Sequence, residues 1–293
     1  MKIAVYGQYY KENTEEIIAK VLTVFGYYKP QVAFESNFYD VLKENNLLSE
    51  DFPVFGSHKE LEGYNMFISI GGDGTMLRAA TYVRDKNIPI LGINAGRLGF
   101  LATVQQEHIE DLLPLIFEGK YKISSRTLLT LDYDGKDKTL EDLDYALNEV
   151  TVSRKDTTSM ITIETCLNGD YLNSYWADGL IISTPTGSTG YSLSCGGPIL
   201  TPEVNSLVIT PIAPHNLNAR PLVIPDDTFI ELKVSSREEQ HLVSLDSRII
   251  SIDVETTLRI RKTDFNINLV EFPQEKFLDT LRKKLLWGED KRN

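Results

Sequence analysis

Residues 68–77 read Ile-Ser-Ile-Gly-Gly-Asp-Gly-Thr-Met-Leu. Met66–Ile70 has the length and apolarity of a buried strand, and Met76-Leu77-Arg78-Ala79-Ala80 opens a helical pattern. Three glycines and one carboxylate therefore sit where a strand turns into a helix. Glycine there permits positive φ and close approach of another group. The helix start offers free N–H groups and a positive dipole end, which suit a phosphate. An acid inside such a cradle repels the ligand unless it has a task, such as holding a metal or accepting a proton from an attacking hydroxyl. The competing reading is a tight turn with Asp73 as helix cap. On this stretch alone the two stand level.

A second run, Asp178-Gly-Leu-Ile-Ile-Ser-Thr-Pro-Thr-Gly-Ser-Thr-Gly-Tyr-Ser-Leu-Ser-Cys-Gly-Gly-Pro198, leads a strand into a loop dense in hydroxyls and glycines. Thr184, Thr186, Ser188, Thr189, Ser192 and Ser194 supply small donors and acceptors, and Gly187, Gly190, Gly196 and Gly197 admit close backbone. That favours a nucleotide clasp over an ordinary polar turn. Asn148-Glu149, before the strand Val150–Val152, suits a base edge and a ribose hydroxyl, although taken alone surface polarity is the better explanation of the pair. Pro214–Pro221 carries His215 and Arg220 on a rigid turn. No Walker loop, no dinucleotide G-x-G-x-x-G after the first strand and no nucleophile elbow is present.

The elements that position these groups fall into two textures. Lys2–Gly7, Gln31–Glu35, Met66–Ile70 and Ile88–Ile93 read as strands, separated by helical periodicity. One helix shows Ile17, Ile18, Val21, Leu22 and Phe25, with Asn13 and Glu16 as a capping box and Gly26 as its stop; a short one covers Tyr39–Asn46. Alternation of this kind predicts a parallel sheet with its binding groups at the carboxyl ends of the strands. Gly71–Gly74 and Asn94–Phe100 both fall at such ends. His108–Phe117 forms an amphipathic helix. After Gly119 the pattern becomes strand-rich: Arg126–Tyr133 with Asp134-Gly135 after it, Leu147–Ser153, Met160–Cys166, Gly179–Ser183, Leu207–Ile212, Phe229–Ser235, His241–Ile252 and Thr257–Arg261. Asn168-Gly169 signals a hairpin. The expected architecture is an α/β domain, residues 1–120 plus 272–293, and a β-rich domain, 121–271, forming a layered antiparallel sandwich. The helix Gln274–Trp287 returns to the first domain.

Composition bounds the partners. The 293 residues carry a net charge of −12, which argues against a nucleic-acid surface. Backbone N–H groups or a divalent metal can still hold a small anion. Two cysteines, Cys166 and Cys195, lack metal spacing and point to a reducing compartment. No apolar run spans a bilayer and no leader pattern opens the chain, so a cytoplasmic location is expected.

Five blocks in order resemble the NAD kinase family: Gly71–Thr75, Leu91–Ala102, Asn148–Val150, Asp178–Leu200 and Pro214–Pro225. The resemblance implies transfer of the ATP γ-phosphate to the 2′-hydroxyl of the adenosine ribose of NAD. It implies Mg²⁺ or another divalent cation, with ligands unknown, and a homodimer or homotetramer. Asp73 matches the catalytic base and contacts NAD together with Gly74. Gly71, Gly72, Gly74 and Thr75 fall to the ATP phosphates. Asn148 and Glu149 match residues on the adenosine part, and Asp178 the carboxylate at the nicotinamide end. Thr186, Thr189, Gly190, Tyr191, Ser192 and Ser194 match the loop around the dinucleotide, and Phe100 an aromatic lining position. Many members have alanine at Gly190. Some carry a basic residue where this chain has Trp176, so Arg78, Arg154 and Arg248 become candidates for the cation that meets the new phosphate. Arg78 is the first choice for an ATP-phosphate contact and Arg248 the second. Two alternatives remain at this stage: a lipid or sugar kinase sharing the glycine turn, and a non-catalytic NAD-binding regulator.

Overall fold

A computed structural model describes residues 1–134, 144–156, 159–216, 218–274 and 276–286. The chain forms two compact units, Met1–Ser125 with Ile267–Asn293, and Arg126–Asn266. The first unit opens with β1 (Lys2–Gly7), α1 (Lys11–Tyr28), β2 (Gln31–Glu35), α2 (Ser36–Glu44) and β3 (Val54–Phe55). It continues with β4 (Met66–Gly71), α3 (Asp73–Val83), β5 (Ile90–Asn94), α4 (Ile109–Phe117) and β6 (Lys122–Arg126). The second contains β7 (Leu129–Tyr133), β8 (Tyr145–Ala146), β9 (Glu149–Arg154), β10 (Ile161–Leu167), β11 (Asp170–Ala177) and β12 (Gly179–Ser183). After α5 (Tyr191–Ser194) come β13 (Ser206–Ile212), β14 (Leu222–Pro225), β15 (Ile230–Ser235), β16 (Gln240–Leu245), β17 (Arg248–Asp253) and β18 (Thr257–Lys262). The chain then re-enters the first unit through β19 (Ile267–Glu271) and α6 (Phe277–Leu285).

The first sheet runs β3-β2-β1-β4-β5-β19-β6, and β1 to β5 pair in parallel. β4 and β5 are buried along their whole length, as strands covered on both faces must be. Ile17, Ile18, Val21 and Phe25 of α1 and Ile109, Leu112, Leu113 and Ile116 of α4 join the core around Ile3, Val5, Ile68 and Ile93. Three local expectations are corrected. The Asn13–Glu16 capping box does not form. Thr14 Oγ1 instead accepts the Tyr10 N–H at 2.8 Å, and Asn13 Nδ2 reaches the Ala95 carbonyl at 2.7 Å. The helix runs through Gly26 and stops at Lys29, whose φ is +50°. The second helix starts at Ser36 because the Glu35 carboxylate caps the Phe38 N–H at 3.0 Å.

The second unit holds two antiparallel six-stranded sheets, β11-β10-β15-β18-β7-β8 and β14-β13-β12-β9-β16-β17. Leu131, Ile163, Leu232 and Ile260 of one and Val150, Ile182, Ile209 and Val243 of the other share a single core, the packing of a sandwich. Asn168 and Gly169, with φ of +52° and +87°, turn the β10–β11 hairpin. His241–Ile252 is two strands rather than one, because Asp246 at φ +52° folds β16 onto β17. Gly135 of the expected Asp134-Gly135 turn, and Trp287 of the final helix, lie outside the described residues. The return to the first unit begins before residue 272: β19 pairs with β5, placing Ile267–Glu271 in the first sheet.

Candidate active site

The strand–turn–helix at Gly71–Thr75 brings a carboxylate to the carboxyl end of β4. Gly71 has φ +156°, and a Cβ there would lie 2.7 Å from Thr75 Cβ, so glycine is required. Gly72 and Gly74 have no heavy atom within 4 Å of a Cβ position and present open backbone. Gly72 caps α3 without a side-chain bond, and its carbonyl accepts the Thr75 and Met76 N–H groups at 2.9 and 3.1 Å, so the N–H groups of Asp73 and Gly74 head the helix without intrahelical acceptors. Asp73 is not the cap. Its Oδ1 accepts the Leu101 and Ala102 N–H groups at 2.9 and 3.2 Å, and its Oδ2 accepts the Phe100 N–H at 2.9 Å. A carboxylate offers about four lone-pair sites, so Oδ2 keeps one for a further donor. The loop is also tied by Asn94, whose Nδ2 donates to the Arg97 carbonyl at 2.8 Å and whose Oδ1 accepts the Gly96 N–H at 2.7 Å. Gly99 is glycine because a Cβ would fall on the Asp73 carboxyl, 2.6 Å from its Cγ. Beside this loop, the Phe100 ring lies 6.0 Å from the Phe277 ring, and Lys284 Nζ sits 4.8 Å over Phe100 and 4.0 Å from Asp73 Oδ2.

In the second unit, Asp246 does for residues 147–149 what Asp73 does for residues 100–102. Its carboxylate accepts the N–H groups of Leu147, Asn148 and Glu149 at 3.0, 2.8 and 3.3 Å. Burial pushes its pKa up. Arg248 donates to the Tyr145 carbonyl, stands 5.6 Å over the Tyr145 ring and lies 3.9 Å from Asp246 Oδ2. Glu149 is buried and its Oε2 has no hydrogen-bond partner. Burial first, and the neighbouring Asp246 second, raise its pKa to about 8. A buried carboxyl of that kind is a neutral donor at pH 7.

The hydroxyl-rich stretch after β12 folds as a 3₁₀ turn, Thr186–Thr189, followed by α5. Much of its polarity is spent internally. Thr184 Oγ1 donates to the Leu147 carbonyl at 2.6 Å and accepts the Gly187 N–H at 3.1 Å. Ser188 Oγ donates to the Pro185 carbonyl at 2.7 Å and accepts the Leu200 N–H at 2.9 Å. Thr189 Oγ1 donates to the Thr186 carbonyl at 3.2 Å. Ser192, fully buried, shares a 2.8 Å hydrogen bond with Thr210, so the fold uses its hydroxyl to hold α5. Gly187 backs onto Asn148, where a Cβ would come within 2.5 Å of the carbonyl carbon. Gly190 faces Glu149, a Cβ there standing 3.1 Å from Oε2. Thr186 is buried, while Tyr191 and Ser194 are exposed. The turn thus brings Asn148, Glu149, Gly187 and Gly190 together.

The remaining predicted groups are distributed. Asp178 pairs with Arg154 at 3.2 Å. Arg78 lies within hydrogen-bonding reach of the Tyr6 hydroxyl and lines a cavity of about 270 Å³ with Glu35, Asn37 and Tyr82. His215 packs its ring 4.3 Å from Trp176. Sequence reasoning did not single out Asp246 and Asn94, which tie the two loops, or Lys284, which stands beside Asp73. Asp246 carried a signal, an Asp-Ser turn between two strand runs; Asn94 and Lys284 carried none that spacing exposes. Among the described residues no cluster of three His, Cys, Asp or Glu side chains can hold a metal ion. Asp73 offers at most one remaining lone pair, so the described residues supply no cage for the divalent cation the resemblance implies. No helix among the described residues is long and apolar enough to cross a membrane.

The two units define the class, a two-domain nucleotide kinase fold, and comparison with known proteins names it. Residues 28–121 match the ATP-NAD kinase N-terminal domain and residues 147–272 the ATP-NAD kinase C-terminal domain. The NAD kinase of Flavobacterium psychrophilum is 66% identical over 294 residues, covering 100% of both chains. Among solved structures, yeast NADH kinase complexed with NADH superposes with a TM-score of 0.87 at 22% identity, over 99% of this chain and 89% of that one. An NAD kinase from Archaeoglobus fulgidus in complex with ATP gives 0.75 at 26%, over 98% and 99%. The chain belongs to the ATP-NAD kinase family.

Proposed function

We propose that this protein transfers the γ-phosphate of ATP to the 2′-hydroxyl of the adenosine ribose of NAD, giving NADP and ADP. The observation that carries the chemistry is Asp73: a carboxylate aimed by three backbone N–H groups, one oxygen of which has room for a hydroxyl proton. A ribose hydroxyl is a poor nucleophile until a base takes its proton. Asp73 Oδ2 is that base. The N–H groups of Gly72 and Gly74, behind Gly71, are suited to hold the donor phosphates, with the Thr75 hydroxyl beside them, since the Thr75 N–H is taken by the Gly72 carbonyl at 2.9 Å.

The acceptor falls to the second unit. Asn148 and Glu149, their backbone fixed by Asp246, hold the adenosine part. A protonated Glu149 donates to a ribose oxygen or ring nitrogen without adding negative charge beside a pyrophosphate. Thr186, Thr189, Gly190, Tyr191 and Ser194 border the dinucleotide, Ser192 supports them from beneath, and Asp178 serves the nicotinamide end. Mg²⁺ or another divalent cation would arrive on the nucleotide's own phosphates, as is common for that ion, neutralising their charge. The resemblance supports a homodimer or homotetramer, measurable by light scattering on the purified protein. The free thiols of Cys166 and Cys195 agree with a cytoplasmic setting.

The test is an assay of purified protein with ATP and NAD, reading NADP through an NADP-specific dehydrogenase. Parallel arms offer NADH, diacylglycerol and fructose 6-phosphate as acceptors. NADP formation that needs both ATP and NAD is expected. Tight NAD binding with no NADP, or phosphorylation of the lipid or sugar instead, overturns the reading.

A further inference from the structure

The sequence leaves open which cation offsets the charge of the transferred phosphoryl group, because Trp176 stands where some relatives carry a basic residue. Each arginine considered for the task has a structural engagement. Arg154 is paired with Asp178, Arg248 holds the Tyr145 carbonyl beside Asp246, and Arg78 meets the Tyr6 hydroxyl. The structure brings a different cation to Asp73. Lys284, on α6, places Nζ 4.0 Å from Asp73 Oδ2, the oxygen with a single backbone donor. At 4.0 Å this is an ion pair without a tight hydrogen bond, so the ammonium keeps donors for another oxygen. The side chains of both residues are about one-third exposed, at 33% and 31%. Lys284 is held from the other side by the Phe100 ring at 4.8 Å, a cation–π contact. Phe100 is itself fixed, by its N–H on Asp73 and its ring against Phe277.

We propose that Lys284 is a catalytic residue whose ammonium meets a non-bridging oxygen of the phosphoryl group in transit; the inference rests on the kinase reading above. In the step, the acceptor hydroxyl oxygen forms a bond to the γ-phosphorus. Its proton passes to Asp73 Oδ2, and the bond from the γ-phosphorus to the β–γ bridging oxygen breaks, ADP leaving with the electron pair. A carboxylate and an incoming phosphate repel each other, and a cation within reach of both lowers that repulsion where charge develops. Asp73 and the phosphoryl group share one positive neighbour, so the base is not isolated beside an anion.

The experiment compares wild type with K284A, K284M and K284R, all assayed as full-length protein. Kcat is taken at saturating ATP and NAD, NAD affinity by calorimetry, and the unfolding midpoint by fluorescence. K284A and K284M are expected to lose about a hundredfold in kcat, the size of losing one preorganised charge donor. Their NAD Kd should stay within about threefold, and K284R should regain part of the rate. The proposal is overturned if K284M keeps kcat within about threefold of wild type, or if the loss appears wholly in NAD Kd. K284M keeps the apolar stem against Phe100, so it reads the charge even if K284A proves unstable. If wild type itself makes no NADP, the kinase reading fails. If wild type is active and K284M equals it, only the role of Lys284 fails.

Discussion

The Asp73 carboxyl group occupies the space that a side chain on Gly99 would need: a Cβ there would fall 2.6 Å from Asp73 Cγ. Asp73 belongs to α3 and Gly99 to the loop after β5, so each residue fixes the other's identity. The carboxylate needs that approach to collect the N–H groups of Phe100, Leu101 and Ala102.

Replacing Gly99 by alanine should therefore push the carboxylate off its three donors. NADP formation should fall at least tenfold, in line with the cost of misplacing a reacting group. G96A is the comparison, since nothing lies within 4 Å of its Cβ position, and it should retain most activity. Initial rates and unfolding midpoints on the two variants decide it.

D73N is a double lesion. It removes the base, which should lower kcat about 10²- to 10⁴-fold. It also replaces an acceptor by an NH₂ group facing backbone N–H groups, leaving a partly buried donor unmatched at a cost of about 1–3 kcal/mol. Urea unfolding should show that loss, and faster amide exchange at residues 100–102 should accompany it. Loss of rate with unchanged stability would count against the clamp.

Glu149 carries a pH signature. Its pKa, raised to about 8 by burial and by Asp246, keeps the carboxyl protonated in the folded chain at neutral pH. NAD affinity should fall as pH rises through about 8, when a negative charge appears beside the dinucleotide. In E149Q that dependence should flatten. Calorimetry from pH 6.5 to 9 reads both.

His241 predicts the opposite slope in stability. It is fully buried in β16, neither ring nitrogen has a hydrogen-bond partner, and burial lowers its pKa to about 4. The unfolded chain takes up a proton near pH 6.5 that the folded chain refuses until about 4. The neutral ring's contribution is thus complete above 6.5 and is lost as pH falls toward 4, by roughly 3 kcal/mol in total. H241L removes the titrating group, so its denaturant midpoint should change less than that of wild type between pH 7 and pH 5.

Local rules carried much of this molecule. The apolar run Met66–Ile70 before three glycines identified a strand meeting a helix, and Asn168-Gly169 identified a hairpin, because both depend on neighbours in sequence. The helix cap at Asn13 was misread because Asn13 serves Ala95, more than eighty residues away. Asp73 was legible as a carboxylate in a turn, but its three partners lie nearly thirty residues downstream, and no spacing rule reports them. The hydroxyls after β12 read as ligand contacts, whereas Thr184, Ser188 and Ser192 hold the turn itself. Lys284 had no signal at all: a lysine on an exposed helix face is ordinary until the fold brings it to Asp73.

The order of the first sheet sets a schedule for biosynthesis. β19 lies between β5 and β6, yet it leaves the ribosome only after the entire second unit. Chains fold largely as they emerge, amino end first, so β5 and β6 must wait with a gap between them while a separate sandwich is made. A nascent chain stopped before Ile267 has its glycine turn and its sandwich but neither the strand that closes the sheet nor the lysine beside Asp73.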